Sequence, residues 1–248
     1  MSGSGAGGTT AARWDATALQ GALDAAGALL ERHAAAIDAL NVFPVPDGDT
    51  GKNMLLTMQA ALEAGRREDA GPGEAGVGAL AARVARGALM GSRGNSGVIL
   101  SQILRGFARG LGGAAEVDAP LLARALREAT TTAYRAVQQP VEGTMLTVIR
   151  EAAEGAERAA QPPADLVVVL DAALAAARDA LARTPELLPR LREAGVVDAG
   201  GQGVVTLLEG IDHFARGEPV PGAGGRPATA MVVSVTARTW AAMLSMRI

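Results

Sequence analysis

Apolar residues in this chain recur at intervals of three and four and almost nowhere at two, which leaves helices as the building material. Leu19, Leu23, Ala26, Leu29 and Leu30 would share one face of a helix running from about Trp14 to Leu40. Comparable patterns cover about 52–64, 77–90, 97–109, 118–137, 143–160, 164–183 and 202–215. Alanine fills much of the rest and is the best helix former. Gly65, Gly91 and Gly110 stand where three of those helices should stop, and Asp118 followed by Pro120 reads as a helix start. The one strand-like run, Leu166–Leu170, reads equally well as a buried helix segment, because Ala173 and Leu174 extend it at helical spacing. With no strands alternating with helices, a parallel-sheet nucleotide fold is not expected. The expectation is an all-α chain of roughly eight helices joined by short loops.

Composition narrows the chemistry. The chain has 248 residues, 49% of them hydrophobic and 2% aromatic, enough for one compact core or two small ones. It has no cysteine, so a disulfide scaffold, thiolate-bound zinc, an iron–sulfur cluster and a cysteine nucleophile are all excluded. Its 23 basic and 26 acidic residues leave a net charge of −3, without the basic footprint of a nucleic-acid binder. The opening MSGSGAGGTT lacks the charged and apolar regions of a secretory signal, and no apolar run reaches the roughly 18 residues of a membrane span. A cytoplasmic protein is therefore expected. Residues 1–11 read as a flexible N-terminus, 65–76 as a flexible loop, 12–216 as the domain, and 217–248 as a Pro/Gly linker with an unassigned apolar tail.

Four polar, glycine-bearing segments interrupt the helices. The first, Asn41-Val-Phe-Pro-Val-Pro-Asp47-Gly-Asp49-Thr50-Gly51-Lys52-Asn53-Met54, sets two carboxylates one glycine apart at a helix entrance. Such a pair repels unless a cation sits between its members, and Asp oxygens with an Asn41 or Asn53 carbonyl suit magnesium or calcium. An Asx-rich turn capping the next helix is the alternative. The segment is not an EF-hand, since Gly51 and Met58 occupy ligand positions, nor a Walker A loop, since Pro46 and Asn53 stand where glycine and Ser/Thr are needed. The second, Gly91-Ser92-Arg93-Gly94-Asn95-Ser96-Gly97, offers N–H groups and hydroxyls at a helix start, as a phosphate cradle does; a flexible turn is the alternative. The third, Glu142-Gly143-Thr144-Met145, reads as a cap, and the fourth, Asp198-Ala199-Gly200-Gly201-Gln202-Gly203, is another glycine-rich entrance with a carboxylate. Gathered at one end of a helical barrel, the four would surround a single anionic ligand. Arg93 and Lys52, the only lysine, are candidate phosphate contacts, whereas His33 and His213 neighbour no motif and read as ordinary helix residues.

These loops in this order resemble the dihydroxyacetone-kinase-like nucleotide-binding domain, and more closely the N-terminal domain of the ATP-binding subunit of bacterial fatty acid kinases. The resemblance rests on LNVFPVPDGDTGKNM (40–54), GSRGNSGVILSQILRG (91–106), EGTM (142–145) and TPELLPRLREAGVVDAGGQG (184–203), and spans about 13–216. It implies an eight-helix antiparallel barrel with ATP and two Mg2+ ions at one end. It further implies that Asn41, Asp47 and Asp49 hold the metals. The nucleotide would be contacted by Thr50, Gly51, Lys52, Asn53, Asn95 and Ser96, and by the loops of Thr144, Met145, Asp198 and Gly200. Lys52 stands where that branch often has threonine. The implied chemistry is phosphoryl transfer to a fatty-acid carboxylate on a separate lipid-carrier protein, with no protein nucleophile and no catalytic residue assigned. A homodimer is left open.

Three other readings stay open at this point. One is a hydroxyketone kinase subunit of the dihydroxyacetone type, another a nucleotide- or lipid-binding module without turnover. The third is a purely structural bundle in which the glycine segments are turns.

Overall fold

The computed structural model describes residues 13–67, 76–161 and 164–219. Among them are eight long helices and one short one: α1 (Ala16–Asp38), α2 (Thr50–Arg66), α3 (Val77–Gly91), α4 (Gly94–Leu111), α5 (Ala119–Ala136), α6 (Met145–Ala159), α7 (Leu166–Leu187), α8 (Pro189–Ala194) and α9 (Ala199–Ala215). Each long helix packs on the next, and α9 returns to α1, which closes the ring as a barrel. The all-α expectation holds, and the strand-like run 166–170 is the first turn and a half of α7.

Several helices open on residues that satisfy their own first N–H groups. Asp15, Asp118 and Asp165 accept from Ala18 (2.8 Å), Leu121 (3.0 Å) and Val167 (2.8 Å) respectively. Inside the barrel the core is aliphatic and rich in alanine; Leu30, Ile37, Met54, Met58, Leu100 and Val148 are among its fully buried members. Because alanine and glycine face one another at several crossings, backbones approach closely. A Cβ on Gly106 would lie 2.3 Å from the Glu128 carbonyl oxygen, and one on Gly110 would lie 2.4 Å from Ala125 Cα.

The short connections make successive long helices run in opposite senses. The starts of α2, α4, α6 and α9 therefore share one end, here called the mouth. At the far end Trp14 and Val117 exchange backbone hydrogen bonds (2.9 and 2.8 Å), and the Trp14 ring meets Phe214 edge-on at 5.7 Å. Trp14 thus lies before α1 in an extended bridge, not in the helix as its spacing suggested.

Other boundaries move for physical reasons. Gly65 and Gly110 do not stop their helices; they lie inside α2 and α4 because neighbouring elements leave no room for a side chain. α7 runs through Pro185 to Leu187, past the expected end at 183. The ring removes one N–H, and the Thr184 hydroxyl donates to the Leu181 carbonyl left without it (2.7 Å). α8 escaped the periodicity altogether, being six residues set by Pro189 at its start and by Gly195 in the left-handed conformation (φ 67°) at its end. The tail, 220–248, and residues 1–12 lie outside the described residues, as does most of the loop 65–76.

The close α4–α5 crossing gives a stability prediction. Gly106→Ala pushes a methyl into the backbone of α5 and should cost about 1–3 kcal/mol in urea unfolding. Gly113→Ala, with open space around it, should be close to neutral; equal effects would show that the crossing is looser than described.

Candidate functional site

At the mouth, the start of α2 is pressed against the end of α1. A Cβ on Gly51 would sit 2.1 Å from the Ala34 carbonyl oxygen, so only glycine permits this approach. The first N–H groups of α2 are closed by an unexpected residue. Asp38, the last residue of α1, accepts from Gly51 N (2.7 Å) and Lys52 N (3.1 Å) through one oxygen. Asp49, which occupies the N-cap position, makes no side-chain cap bond.

Between them the loop 39–49 carries the sequence-predicted oxygen donors. Asn41 is buried, and its amide donates to Asp47 Oδ1 at 2.6 Å. Gly48 turns the chain in the left-handed conformation (φ 65°) between the two carboxylates. Neither Asp47 nor Asp49 forms an ion pair with a described basic side chain. No group of three or more His, Asp and Glu gathers for a metal among the described residues. An all-oxygen donor set of Asn41 carbonyl, Asp47 and Asp49 remains, and hard divalent ions favour such a set. The residues present therefore fit magnesium.

Beside α2 stands the start of α4. Only Ser92 and Arg93 separate α3 from α4, so the expected seven-residue loop is mostly helix: Gly91 ends α3, and Gly94, Asn95, Ser96 and Gly97 form the first turn of α4. Gly94 adopts φ 55°, and a Cβ there would lie 2.3 Å from Asn53 Nδ2; a Cβ on Gly97 would lie 2.3 Å from Thr57 Oγ1. The Ser96 hydroxyl donates to the Thr50 carbonyl at 3.4 Å. Thr50 and Asn53 are buried in this junction, whereas Lys52 and Asn95 are exposed. Arg93 is exposed too, and its guanidinium folds back on the Ser92 carbonyl (3.0 Å). Among the described residues no side chain takes the Gly94, Asn95 or Ser96 N–H at the start of α4; the Thr57 hydroxyl accepts from the preceding Arg93 N–H (3.3 Å).

On the other side of the mouth α6 and α9 start together. Asp198, 5% exposed, accepts from Gly201 N (2.7 Å) and from the Met145 backbone N–H, so one carboxylate bridges two helix N-termini. Burial pushes its carboxyl up to about 6, against those two hydrogen bonds, which favour the ionised form. Its own N–H donates to Thr184 Oγ1 (3.1 Å). Met145 is buried and packs where a Gly200 side chain would go, 3.1 Å from sulfur to the absent Cβ. Thr144 donates to the Val141 carbonyl (2.7 Å) and weakly caps Leu146 (3.4 Å). Gly203 joins the two halves, since the Met54 thioether would lie 2.5 Å from a Cβ there.

Glu142 braces the third loop. It accepts from Thr147 Oγ1 (2.6 Å), Tyr134 Oη (2.8 Å) and Arg150 Nη2 (3.2 Å). Burial alone would raise its pKa, but these three donors outweigh that and lower it. Within the same cluster, burial drives the Tyr134 phenol up to about 12.

The structure thus brings Thr50, Gly51, Asn53, Asn95 and Ser96 into one junction and Thr144, Met145, Asp198 and Gly200 into a second, with Asn41, Asp47 and Asp49 on the loop before the first. Sequence reading missed Asp38 and the Glu142 brace. An acid at a helix C-terminus opposes the helix dipole, and that was the one available signal for Asp38. His213 lies near the far end of α9, on Glu218 Oε2 (3.1 Å), and His33, one residue before Ala34, turns its ring back along α1 onto Leu29 O (3.1 Å). Two hollows also lie elsewhere: an outer groove between α1 and α2 lined by Asp24, Met58 and Arg66, and a small apolar pocket near Trp14 and Phe107. Neither contains an open helix start, and the Arg66 head is tied to Asp24 (2.7 Å), so the mouth is the better candidate.

Comparison with known proteins bears on the same segments, for the family described as the DAK2 domain matches residues 44–213. The chain belongs to the DAK2-domain family. Protein YloV of Bacillus subtilis (strain 168) is 46% identical over 192 residues, covering 77% of this chain and 34% of that protein. A protein of Staphylococcus aureus (strain USA300) is 44% identical over 191 residues, with the same coverage. The chain therefore spans about a third of the length of these curated relatives. Among solved structures, the dihydroxyacetone kinase of C. freundii in complex with AMP-PNP and Mg2+ superposes with a TM-score of 0.57 at 21% identity, over 78% of this chain and 33% of that one. The native form of that kinase gives 0.54 at 17% identity, over 86% and 37%. At that identity the likeness is one of fold, and this DAK2 domain shares the helical barrel of a kinase. Among the described residues no helix is long and apolar enough to cross a membrane.

The buried carboxylate of this DAK2 domain predicts a pH effect. Asp198 keeps its proton to about pH 6 when folded and to about 3.8 when unfolded. Between those values the unfolded chain binds fewer protons, so stability falls as pH rises. The unfolding free energy of wild type minus that of Asp198→Asn should decline from pH 4 to 6, by at most on the order of 3 kcal/mol, and then level off. A difference that does not vary with pH would contradict the buried bridge.

Proposed function

We propose that this chain is an ATP- and Mg2+-dependent phosphotransferase domain. Its acceptor is a fatty-acid carboxylate presented by a lipid-carrier protein, and its product is an acyl phosphate. One observation carries the nucleotide reading: of the four long helices that start at the mouth, α4 alone has no carboxylate or hydroxyl on its first helical N–H groups among the described residues, while the six-residue α8 opens on Pro189, which has no N–H to offer. Its free N–H groups and positive dipole end favour a phosphate, with Asn95 and Ser96 beside it. Asn41, Asp47 and Asp49 would hold magnesium against the same phosphates. Bound magnesium supplies charge neutralisation along the triphosphate.

The Gly51 and Lys52 N–H groups are taken by Asp38, so those residues would contribute through the close approach of the helix and the exposed lysine side chain. Thr144, Met145, Asp198 and Gly200 would form the opposite wall. Asp198 and Met145 would act mainly by fixing α6 against α9, since Asp198 is already engaged on both helices. The kinase of like fold that carries AMP-PNP and Mg2+ supports the cofactor choice.

Transfer to a carboxylate needs no general base at neutral pH. The acceptor oxygen is already ionised, a P–O bond to it forms as the γ-phosphorus leaves the β-phosphate bridging oxygen, and ADP departs with the electron pair. No general base is therefore required of the mouth. An acceptor held by a partner suits the apolar rim as well: Val45, Leu89, Met90, Val98, Val141 and Leu187 are exposed around this end. The fatty-acid assignment itself rests on the wording of the 40–54 and 184–203 segments.

Titration calorimetry of ATP with magnesium tests the reading. Wild type should bind, and Asp49→Asn should bind at least about tenfold more weakly while unfolding at a similar temperature. Equal heats from the two proteins would remove the metal assignment.

A further inference from the structure

The hydrogen bonds at the head of α2 carry one step more. Asp49 stands at the N-cap position, where Asp ordinarily turns its carboxylate back onto the second or third N–H of the helix. Here it does not; its backbone (φ −127°, ψ 7°) departs from the extended conformation seen at the other Asp caps, and its side chain makes no cap bond. The cap comes instead from Asp38, 13 residues before Gly51, whose Oδ1 receives both Gly51 N (2.7 Å) and Lys52 N (3.1 Å). The two acids therefore stand in for one another: whichever caps α2 has its oxygens committed to N–H groups, and the other is free. We propose that Asp38 is a positioning residue which, by taking over the α2 cap, keeps the Asp49 carboxylate available to a divalent cation.

This rests on the magnesium reading given above for the metal, but the exchange of caps stands apart from it. Asp38 belongs to α1, whose Ala34 backbone lies against Gly51 of α2, so the cap also holds the two ends of the loop 39–49 together. An Asp at the last residue of α1 is unfavourable for that helix's own dipole. The opposing pull of the α2 N-terminus is what makes the position tenable. The Asn41 to Asp47 bond (2.6 Å) then fixes the other carboxylate of the loop.

The experiment is a stability cycle on the metal-free chain, paired with a binding measurement. Asp49→Ala alone should leave the thermal midpoint unchanged or slightly raised, since Asp49 caps nothing. Asp38→Ala alone should lower it only modestly, because Asp49 can turn inward and replace the lost cap. The double variant should fall below the sum of the two by roughly 2–4 °C. In ATP titrations with magnesium, Asp38→Ala should bind about tenfold more weakly though it removes no metal ligand. Asp38→Asn, which retains an acceptor oxygen, should restore both midpoint and binding. Should Asp38→Ala not fold, Asp38→Glu displaces the carboxylate by one methylene and serves the same cycle.

Additive midpoints overturn the proposal whatever the nucleotide does. Non-additive midpoints with no ATP binding by wild type uphold the cap exchange and overturn the nucleotide reading instead.

Discussion

The mouth of this barrel depends on how near two helix backbones can come. Gly51 admits α2 to within carbonyl contact of α1, and the Asp38 cap and the closure of the loop 39–49 follow from the approach. With a side chain at 51, the start of α2 would withdraw from Ala34, Asp38 would lose Gly51 N and Lys52 N, and the loop 39–49 would no longer have its ends tied. The neighbouring junctions repeat the device. Gly94 and Gly97 let α4 settle on Asn53 and Thr57, and Gly200 and Gly203 let α9 settle on Met145 and Met54. Glycine in helix interiors ordinarily costs about 0.5–1 kcal/mol relative to alanine. Here it is spent on bringing four helix starts into one small area.

That crowding creates an electrostatic problem, solved differently at each start. Four N-termini side by side present four clusters of unpaired N–H groups and four positive dipole ends. Asp38 answers α2. Asp198 answers α6 and α9 together and accepts deep burial for doing so, with a proton affinity shifted upward as the consequence. Thr144 adds a hydroxyl at α6. Of these four starts only that of α4 stays open among the described residues, and the loop facing the same end bears two carboxylates with no described basic partner.

Much of the fold was legible because an apolar stripe at helical spacing survives any tertiary context, and the long helices all carry one. The errors at the glycines share one cause. In a sequence, glycine marks both a chain reversal and a place where a neighbouring element leaves no room for a side chain; Gly65, Gly97, Gly110, Gly200 and Gly203 are of the second kind, and Gly94 (φ 55°) is of both. Reading them as stops or loops placed the starts of α4 and α9 three residues late. Asp47 and Asp49 were legible as oxygen donors from local spacing. Asp198 was legible as part of a glycine-rich helix start, but its bond to Met145 crosses between helices 53 residues apart in sequence, beyond any local pattern. Asp38 hid for the same reason, and Glu142 because its partners Tyr134 and Arg150 lie on two different helices.

The charges at the mouth also decide what kind of anion can bind there. A helix start favours an anion by about 0.3–2 kcal/mol. A carboxylate about 5 Å from a phosphate oxygen opposes it by about 3 kcal/mol at an effective dielectric of 20. Two such carboxylates stand against one open helix end, with Lys52 and Arg93 both exposed beside it, so the mouth holds no excess of positive charge for a bare phosphate. On the reading proposed above, a phosphate arriving with a divalent cation would be favoured, because the cation would turn each carboxylate's repulsion into a bridge. The acidic loop would then discriminate between a complexed and an uncomplexed anion at the open start of α4.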